Sequence, residues 1–244
     1  MSAMNPVVFL VDVDNTLLDN DEIQADIKNH LAQAYGPACR DRYWAILQDL
    51  WTELGYRDYL GALQRYRVEH PRDMDLLSMS SFLVDYPFAD RLYPDALNVL
   101  AQLRGWGPAV LLTDGDVVFQ PRKVERSGLS EAVGSQVLIY IHKEFALDDI
   151  EMRYPARHYV LVDDKPRILD AVKEAWGERV TTVFPRQGQY AQDAKAVASF
   201  AVPDVTIDRI GDLLAHNLSS LLAGQQAWTE HMRRGSDESH QKAS

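Results

Sequence analysis

The chain has 244 residues and a formal net charge of −11, and 46% of its residues are hydrophobic. Its hydrophobic content excludes a wholly disordered chain, and its acidity argues against broad binding to nucleic acid or anionic membranes. The length allows one large domain or a domain with an insert. A single cysteine, Cys39, excludes an intramolecular disulfide and a cysteine-rich zinc site.

The beginning of the chain does not resemble a targeting segment. Residues 1–6 lack a basic region, and Asp12 and Asp14 interrupt the apolar run that follows. No uncharged apolar run approaches the ~20 residues of a membrane-spanning helix. We therefore expect a cytoplasmic protein without nucleic-acid or membrane partners, whose oligomeric state stays open.

Short apolar runs alternate with helical patterns through most of the chain. The runs predict strands at 7–11, 109–112, 136–141, 158–162, 180–184 and 205–207. Helical patterns cover 94–103, 118–127, 166–176 and 210–222. Continuous apolar runs are typical of strands buried on both faces of a parallel sheet. The alternation therefore predicts an α/β fold, with a Rossmann-like parallel sheet flanked by helices.

One stretch, residues 20–90, breaks this alternation. It contains no good strand, and apolar side chains recur at helical spacing, as in Ile23, Ile27 and Leu31. We interpret it as an all-helical insert after the first strand, whose Trp and Tyr rings form its own core rather than a cofactor site. The predicted division is a core of 1–19 and 91–228, an insert of 20–90 and a disordered tail of 229–244.

Acidic residues follow two of the predicted strands. Asp12 and Asp14 come directly after the first strand, and Asp163 and Asp164 follow the strand at 158–162. The carboxyl ends of parallel strands share one edge of a sheet, where ligands bind. Carboxylates gathered there repel one another unless a cation offsets their charge, and Mg²⁺ prefers such oxygen ligands. The pattern favours a metal site over helix capping alone.

Polar residues also follow two other strands. Thr113 and Asp114 end the second run, and a Thr hydroxyl beside exposed backbone N–H groups can bind a phosphate. Lys143 lies just past the third run and can neutralise a phosphate or a carboxylate. Lys123 is a rival for that role, but we expect its helix to lie at the surface.

Taken in order, these strand ends resemble the haloacid dehalogenase-like (HAD) superfamily of hydrolases. Residues 8–16 match its first motif, a hydrophobic strand followed by Asp-x-Asp-x-Thr. Thr113, Lys143 and the acids at 163–164 match the second, third and fourth motifs. The insert lies where many members carry a helical cap that closes over the substrate. The resemblance covers about residues 7–222.

This resemblance implies a Mg²⁺-dependent phosphatase that acts on a small phosphorylated metabolite. Asp12 would be the nucleophile that forms an aspartyl-phosphate, and Asp14 the general acid and then the general base. Thr113, the N–H of Asp114 and Lys143 would bind the transferring group. The resemblance assigns the metal to Asp12, the backbone carbonyl of Asp14, Asp163 and Asp164.

Asp14 favours phosphate transfer over dehalogenation, because dehalogenases of this superfamily lack an acid there and a halide leaves without a proton. The region after Asp164 lacks a further acid that many members carry. This leaves open whether Asp163 or Asp164 binds the metal directly, although Asp164 matches the usual ligand position. A phosphomutase, a haloacid dehalogenase and a non-catalytic ligand-binding protein remain alternatives. A nucleotide-sugar transferase would not need the Thr, the Lys and the paired acids.

The sequence leaves the substrate open. Arg57, Tyr59 and Arg65 of the insert are candidates to face it, but their helix phase is undetermined. Residues 186–190 could also reach the site, although a surface loop is the simpler expectation.

Overall fold

The computed structural model describes residues 4–222. Its centre is a six-stranded, all-parallel sheet in the order β3-β2-β1-β4-β5-β6. The strands are β1 Asn5–Val11, β2 Ala109–Asp114, β3 Val137–Tyr140, β4 Ala156–Val162, β5 Val180–Pro185 and β6 Val205–Ile207. This confirms the predicted α/β class. The strand order reverses beside β1, which is where ligands bind in sheets of this kind.

The insert after β1 is helical, as predicted. Its helices are α1 Asn20–Tyr35, α2 Pro37–Leu54, α3 Tyr59–Glu69 and α4 Leu76–Asp85. They pack around a cluster of their own, in which Ile23, Ile27 and Leu31 are buried at the predicted spacing of four. Tyr59 is also buried there, but Trp51 is 42% exposed and is not part of this core. The division of the chain at residues 20 and 90 stays a prediction.

The central strands bury both faces. Val7, Phe9 and Val11 pack into one layer, and Val8 and Leu10 pack into the other, because successive side chains of a strand alternate. The first layer includes residues of α5 Ala96–Arg104, α6 Phe119–Arg126 and α7 Leu129–Ala132. The second includes residues of α8 Leu147–Arg153 and α9 Pro166–Trp176.

The C-terminal part differs from the prediction. The single helix expected over 210–222 is instead a 3-10 segment, Ile210–Ala215, followed by a new helical turn from residue 218. Asn217 interrupts the helix because its side chain accepts the N–H of Ser220 at 2.8 Å, as an N-cap does. After β5 the chain forms α10 Gly188–Gln192 and α11 Ala194–Ala198. The predicted tail of 229–244 lies outside the described residues.

Candidate active site

Three carboxylates meet at the carboxyl end of the central strands. Asp12 follows β1, and Asp163 and Asp164 follow β4, which pairs directly with β1. Each residue is at most 1% exposed, and one carboxylate oxygen of each lies within 4.8 Å of the others. Buried carboxylates at this separation repel one another and destabilise the fold, so the cluster requires nearby positive charge to offset the repulsion.

Lys143 supplies part of that compensation. Its Nζ lies 2.5 Å from Asp12 Oδ1 and 2.6 Å from Asp163 Oδ2, and it is almost fully buried. Burial alone would lower the pKa of this ammonium, but Asp12 and Asp163 raise the pKa well above its ordinary value. Burial raises the pKa of Asp163 to about 6, although Lys143 acts in the opposite direction. One fixed positive charge thus faces two of the three acids.

Asp164 is the acid that no lysine contacts directly within residues 4–222, although the charges of Lys165 and Lys143 act on it from a distance. Neither of its carboxylate oxygens has a hydrogen-bond partner in the described part of the chain, although both are buried. Its backbone N–H donates to Thr16 Oγ1 at 3.1 Å, and that hydroxyl donates to Asp12 Oδ2 at 3.1 Å. Burial, followed by the charge of Asp12, raises the pKa of Asp164 well above the ordinary carboxyl value. A buried carboxylate with two free oxygens is poorly satisfied unless it binds a cation.

Asp14 is not part of this acid cluster but lies beside it, on the wall of a cavity. Lys123 Nζ donates to Asp14 Oδ1 at 2.7 Å, and Gln120 Nε2 lies 3.4 Å from Asp14 Oδ2. The same amide donates to Thr113 Oγ1 at 2.9 Å. Two residues of α6 therefore orient both Asp14 and the Thr113 hydroxyl.

Lys123 points inward, although its helix lies at the surface as expected, with Glu125 and Arg126 exposed. It is 1% exposed, and Phe119, Gln120 and Val124 are buried on the same face of α6. Positions three and four apart share a helix face, so the spacing of Phe119 and Lys123 was a signal that this lysine points inward. The charge of Lys123 concealed that signal, because charged residues are seldom buried without a partner.

The remaining sequence-predicted residues lie at the same edge of the sheet. Asp114 follows Thr113 and accepts the backbone N–H of Lys143 at 2.8 Å. Lys165, which sequence reasoning missed, lies with its Nζ 3.9 Å from Asp114 Oδ2. Its position directly after the paired acids was the available signal.

The loop that carries Asp12 and Asp14 is anchored by Gln187. Its Nε2 donates to the carbonyls of Asn15 at 3.3 Å and Thr16 at 3.1 Å, and its Oε1 accepts the N–H of Ile210 at 2.5 Å. Gly188 has a φ of +67°, and a Cβ there would lie 2.6 Å from Asn15 Cβ. The surface loop expected at 186–190 is therefore packed against the loop that carries Asp12 and Asp14.

A cavity of about 400 Å³ lies between the core and the insert. The core contributes Asp14, Asp114 and Lys165 to its wall, and the insert contributes Arg57 and Tyr59. Arg65, the third candidate from the insert, lies elsewhere, because it pairs with Glu53 at 2.7 Å on the surface.

Residues 7–152 match the model of the haloacid dehalogenase-like hydrolase family, which is more than half of the chain. A crystal structure of a protein from Burkholderia xenovorans LB400, described as a haloacid dehalogenase-like hydrolase, is 60% identical with a TM-score of 0.84. The match covers 89% of this chain and 99% of that one. The chain belongs to the haloacid dehalogenase-like hydrolases.

More distant solved structures share the fold. The L-2-haloacid dehalogenase of Xanthobacter autotrophicus is 18% identical, with a TM-score of 0.55 over 86% of this chain and 97% of that one. The HAD-hydrolase YfnB of Bacillus subtilis, bound to magnesium, is 17% identical, with a TM-score of 0.58 over 86% and 98%. Among curated proteins, none matches the sequence.

The acid cluster of this HAD-like hydrolase fits Mg²⁺, an ion that the superfamily often uses. Asp12, Asp163 and Asp164 offer only hard oxygen donors, which Mg²⁺ prefers. The two unsatisfied oxygens of Asp164 are the specific observation in favour of a cation. Asp163 is already bound by Lys143 and by the N–H of Lys165 at 2.9 Å, so Asp164 is better suited to direct ligation.

Mg²⁺ is expected to stabilise the protein, and Asp164→Asn is expected to abolish that effect. An ion at a hundredfold excess over its Kd adds about 2.7 kcal/mol. For a chain of this size, that corresponds to a Tm increase of about 5–10 °C. Thermal unfolding with Mg²⁺ or with EDTA measures the shift, and Asp49→Asn, on the exposed side of α2, is the matched control. A wild-type Tm that is independent of Mg²⁺ would contradict the metal site.

Proposed function

We propose that this HAD-like hydrolase is a Mg²⁺-dependent phosphatase that acts on a small phosphorylated metabolite through an aspartyl-phosphate on Asp12. The observation that carries the proposal is the placement of Asp14. It is two residues from the buried nucleophile candidate, lines the cavity, and is oriented by Lys123 and Gln120. A leaving alkoxide needs a proton from such an acid, whereas a leaving halide does not.

In the first step, a carboxylate oxygen of Asp12 attacks the phosphorus while the bond from phosphorus to the ester oxygen breaks. Thr16 and Lys143 hold this carboxylate in place. Asp14 donates a proton to the leaving oxygen and then takes one from the water that attacks the aspartyl-phosphate. The second step releases phosphate and regenerates the Asp12 carboxylate.

The charge of the transferring group would be stabilised by residues at the same edge. Lys143, the Thr113 hydroxyl and the N–H of Asp114 would contact the phosphoryl oxygens. Asp12, Asp163, Asp164 and the carbonyl of Asp14 would hold Mg²⁺. The bound ion would offset negative charge on the phosphoryl group. A cytoplasmic location and the lack of nucleic-acid and membrane partners belong to this proposal.

The test is phosphate release from a panel of phosphate esters, with Mg²⁺ or with chelator. Asp14→Asn is expected to lower kcat by about 10²–10⁴-fold, the usual contribution of general acid–base catalysis. Chloride release from a 2-haloacid that survives this substitution would assign a dehalogenase instead. Isomer formation faster than phosphate release would assign a phosphomutase. Ligand binding without turnover of any of these substrates would assign a binding protein.

A further inference from the structure

The first helix of the insert contributes two amide side chains to the wall of the cavity. Asn20 and Gln24 lie four residues apart in α1, so they share one face of this helix. They are only 9% and 8% exposed, and both line the cavity. The proposed reaction uses neither of them.

Gln24 presents an unpaired amide to this cavity. Its amide nitrogen and its amide oxygen have no hydrogen-bond partner within residues 4–222, and both keep accessible surface. A polar group that is removed from bulk water without a partner is unfavourable. The side chain therefore offers a donor and an acceptor that a ligand in the cavity can satisfy.

Asn20 presents half of its amide in the same way. Its Oδ1 accepts a hydrogen bond from Lys123 Nζ at 3.1 Å. A lysine ammonium only donates, so the oxygen of the amide must be the atom that faces it. The Nδ2 group is then left over, and in the described part of the chain it has no partner although it keeps accessible surface. It adds a free donor beside those of Gln24.

These amides lie on the leaving-group side of the proposed reaction. Lys123 joins Asn20 to Asp14, because the same ammonium donates to Asp14 Oδ1 at 2.7 Å. Asp14 is the group that would protonate the leaving oxygen. A leaving group that receives this proton extends into the cavity whose wall includes Asn20 and Gln24.

The two amides match hydroxyl groups better than ions. An amide is uncharged, and it donates as well as accepts hydrogen bonds, as a hydroxyl group does. The charged side chains elsewhere on the wall have partners of their own. The half-buried Arg57 lies 5.7 Å from the centroid of the Trp51 ring. The others form the pairs Lys123–Asp14, Lys165–Asp114 and Arg167–Glu144.

We infer that Asn20 and Gln24 form a hydroxyl-binding subsite, and that the substrate is the phosphate monoester of a neutral polyhydroxy alcohol, either open-chain or cyclic. This inference rests on the proposed function for the reacting phosphate alone. The amides bind hydroxyl groups of the leaving alcohol, and the edge of the sheet binds the phosphate to be transferred. An apolar leaving group would leave both amides unpaired, so the subsite discriminates against it.

The experiment compares non-hydrolysable phosphonates with and without hydroxyl groups, so that it measures binding without turnover. The Mg²⁺-loaded full chain is titrated in a calorimeter with two matched pairs. The open-chain pair is dihydroxybutylphosphonate, which mimics glycerol phosphate, and butylphosphonate. The cyclic pair is the isosteric phosphonate of glucose-6-phosphate and cyclohexylethylphosphonate. In at least one pair, the hydroxylated probe is expected to bind at least about tenfold tighter. The pair with the larger ratio identifies the alcohol as open-chain or cyclic.

The variants assign that ratio to the subsite. Gln24→Met keeps the length of the side chain but removes the amide, and it is expected to lower the ratio about fivefold. It should leave the affinity for the hydroxyl-free probe unchanged. Its Tm should not fall, because the amide has no partner to lose, whereas a structural role would lower it. Gln33→Met removes an exposed amide of the same helix and should keep the wild-type ratio.

The outcomes separate this inference from the proposed reaction. Equal binding within both pairs, the lack of any binding included, overturns the subsite, and so does a ratio that survives Gln24→Met. Phosphate release from the corresponding esters without a binding difference in either pair overturns the subsite and leaves the phosphatase standing. A clear ratio without hydrolysis of those esters supports the subsite and contradicts the phosphatase.

Discussion

Asp12→Asn is expected to lower the hydrolysis of phosphate esters by at least about 10⁴-fold, the scale of loss seen when a catalytic nucleophile is removed. An amide oxygen cannot replace the carboxylate as nucleophile, and the neighbouring acids have other roles, because Asp164 is the proposed metal ligand. Asp163 is held by Lys143, and Asp14 is held by Lys123. Steady-state phosphate release measures the loss.

A second measurement shows that the loss is chemical. Acid quenching of the wild-type enzyme during turnover should trap a phosphorylated aspartate, and the Asp12→Asn protein should trap none. The variant should still unfold cooperatively, because Asn has nearly the same shape. Asp49→Asn, which removes an exposed carboxylate from the insert, is the control and should keep full activity. A trapped phosphoryl group on the Asp12→Asn protein would refute the nucleophile assignment.

The sequence was informative at the ends of the strands. The apolar run of β1 could be recognised because a central parallel strand is buried on both faces. A strand recognised in this way also locates its carboxyl end, and parallel strands bring those ends to one edge. The sequence therefore predicts that Asp12, Thr113, Lys143 and the 163–164 pair lie together, but it does not indicate which of their oxygens have hydrogen-bond partners.

The buried face of a helix and contacts between distant parts of the chain were harder to predict from the sequence. Lys123 lies on the buried face of α6, where its charge hides the amphipathic pattern. Gln187 contacts Asn15 and Thr16, about 170 positions earlier, and a polar residue in a loop carries no local signal for such a contact.

Lys143→Met is expected to destabilise the metal-free protein by about 3–5 kcal/mol, because it leaves buried acids without their partner. Its ammonium contacts Asp12 and Asp163 and donates to the carbonyl of Leu112 at 3.1 Å. Urea unfolding in the presence of EDTA measures the change. Lys195→Met, at an exposed position, is the control and should change stability by less than about 0.5 kcal/mol.

The pH dependence distinguishes lost charge compensation from lost packing. The pKa of Asp163 is raised to about 6 in the folded wild type and returns to its ordinary value on unfolding. As the pH rises through that range the buried acids ionise, and their charges destabilise the folded state more. The destabilisation by Lys143→Met should therefore be larger at about pH 8 than at about pH 5. Adding Asp163→Asn should restore part of the lost stability, because it removes one uncompensated charge. A loss that is equal at both pH values and is not rescued by Asp163→Asn would mean that Lys143 acts through packing rather than through its charge.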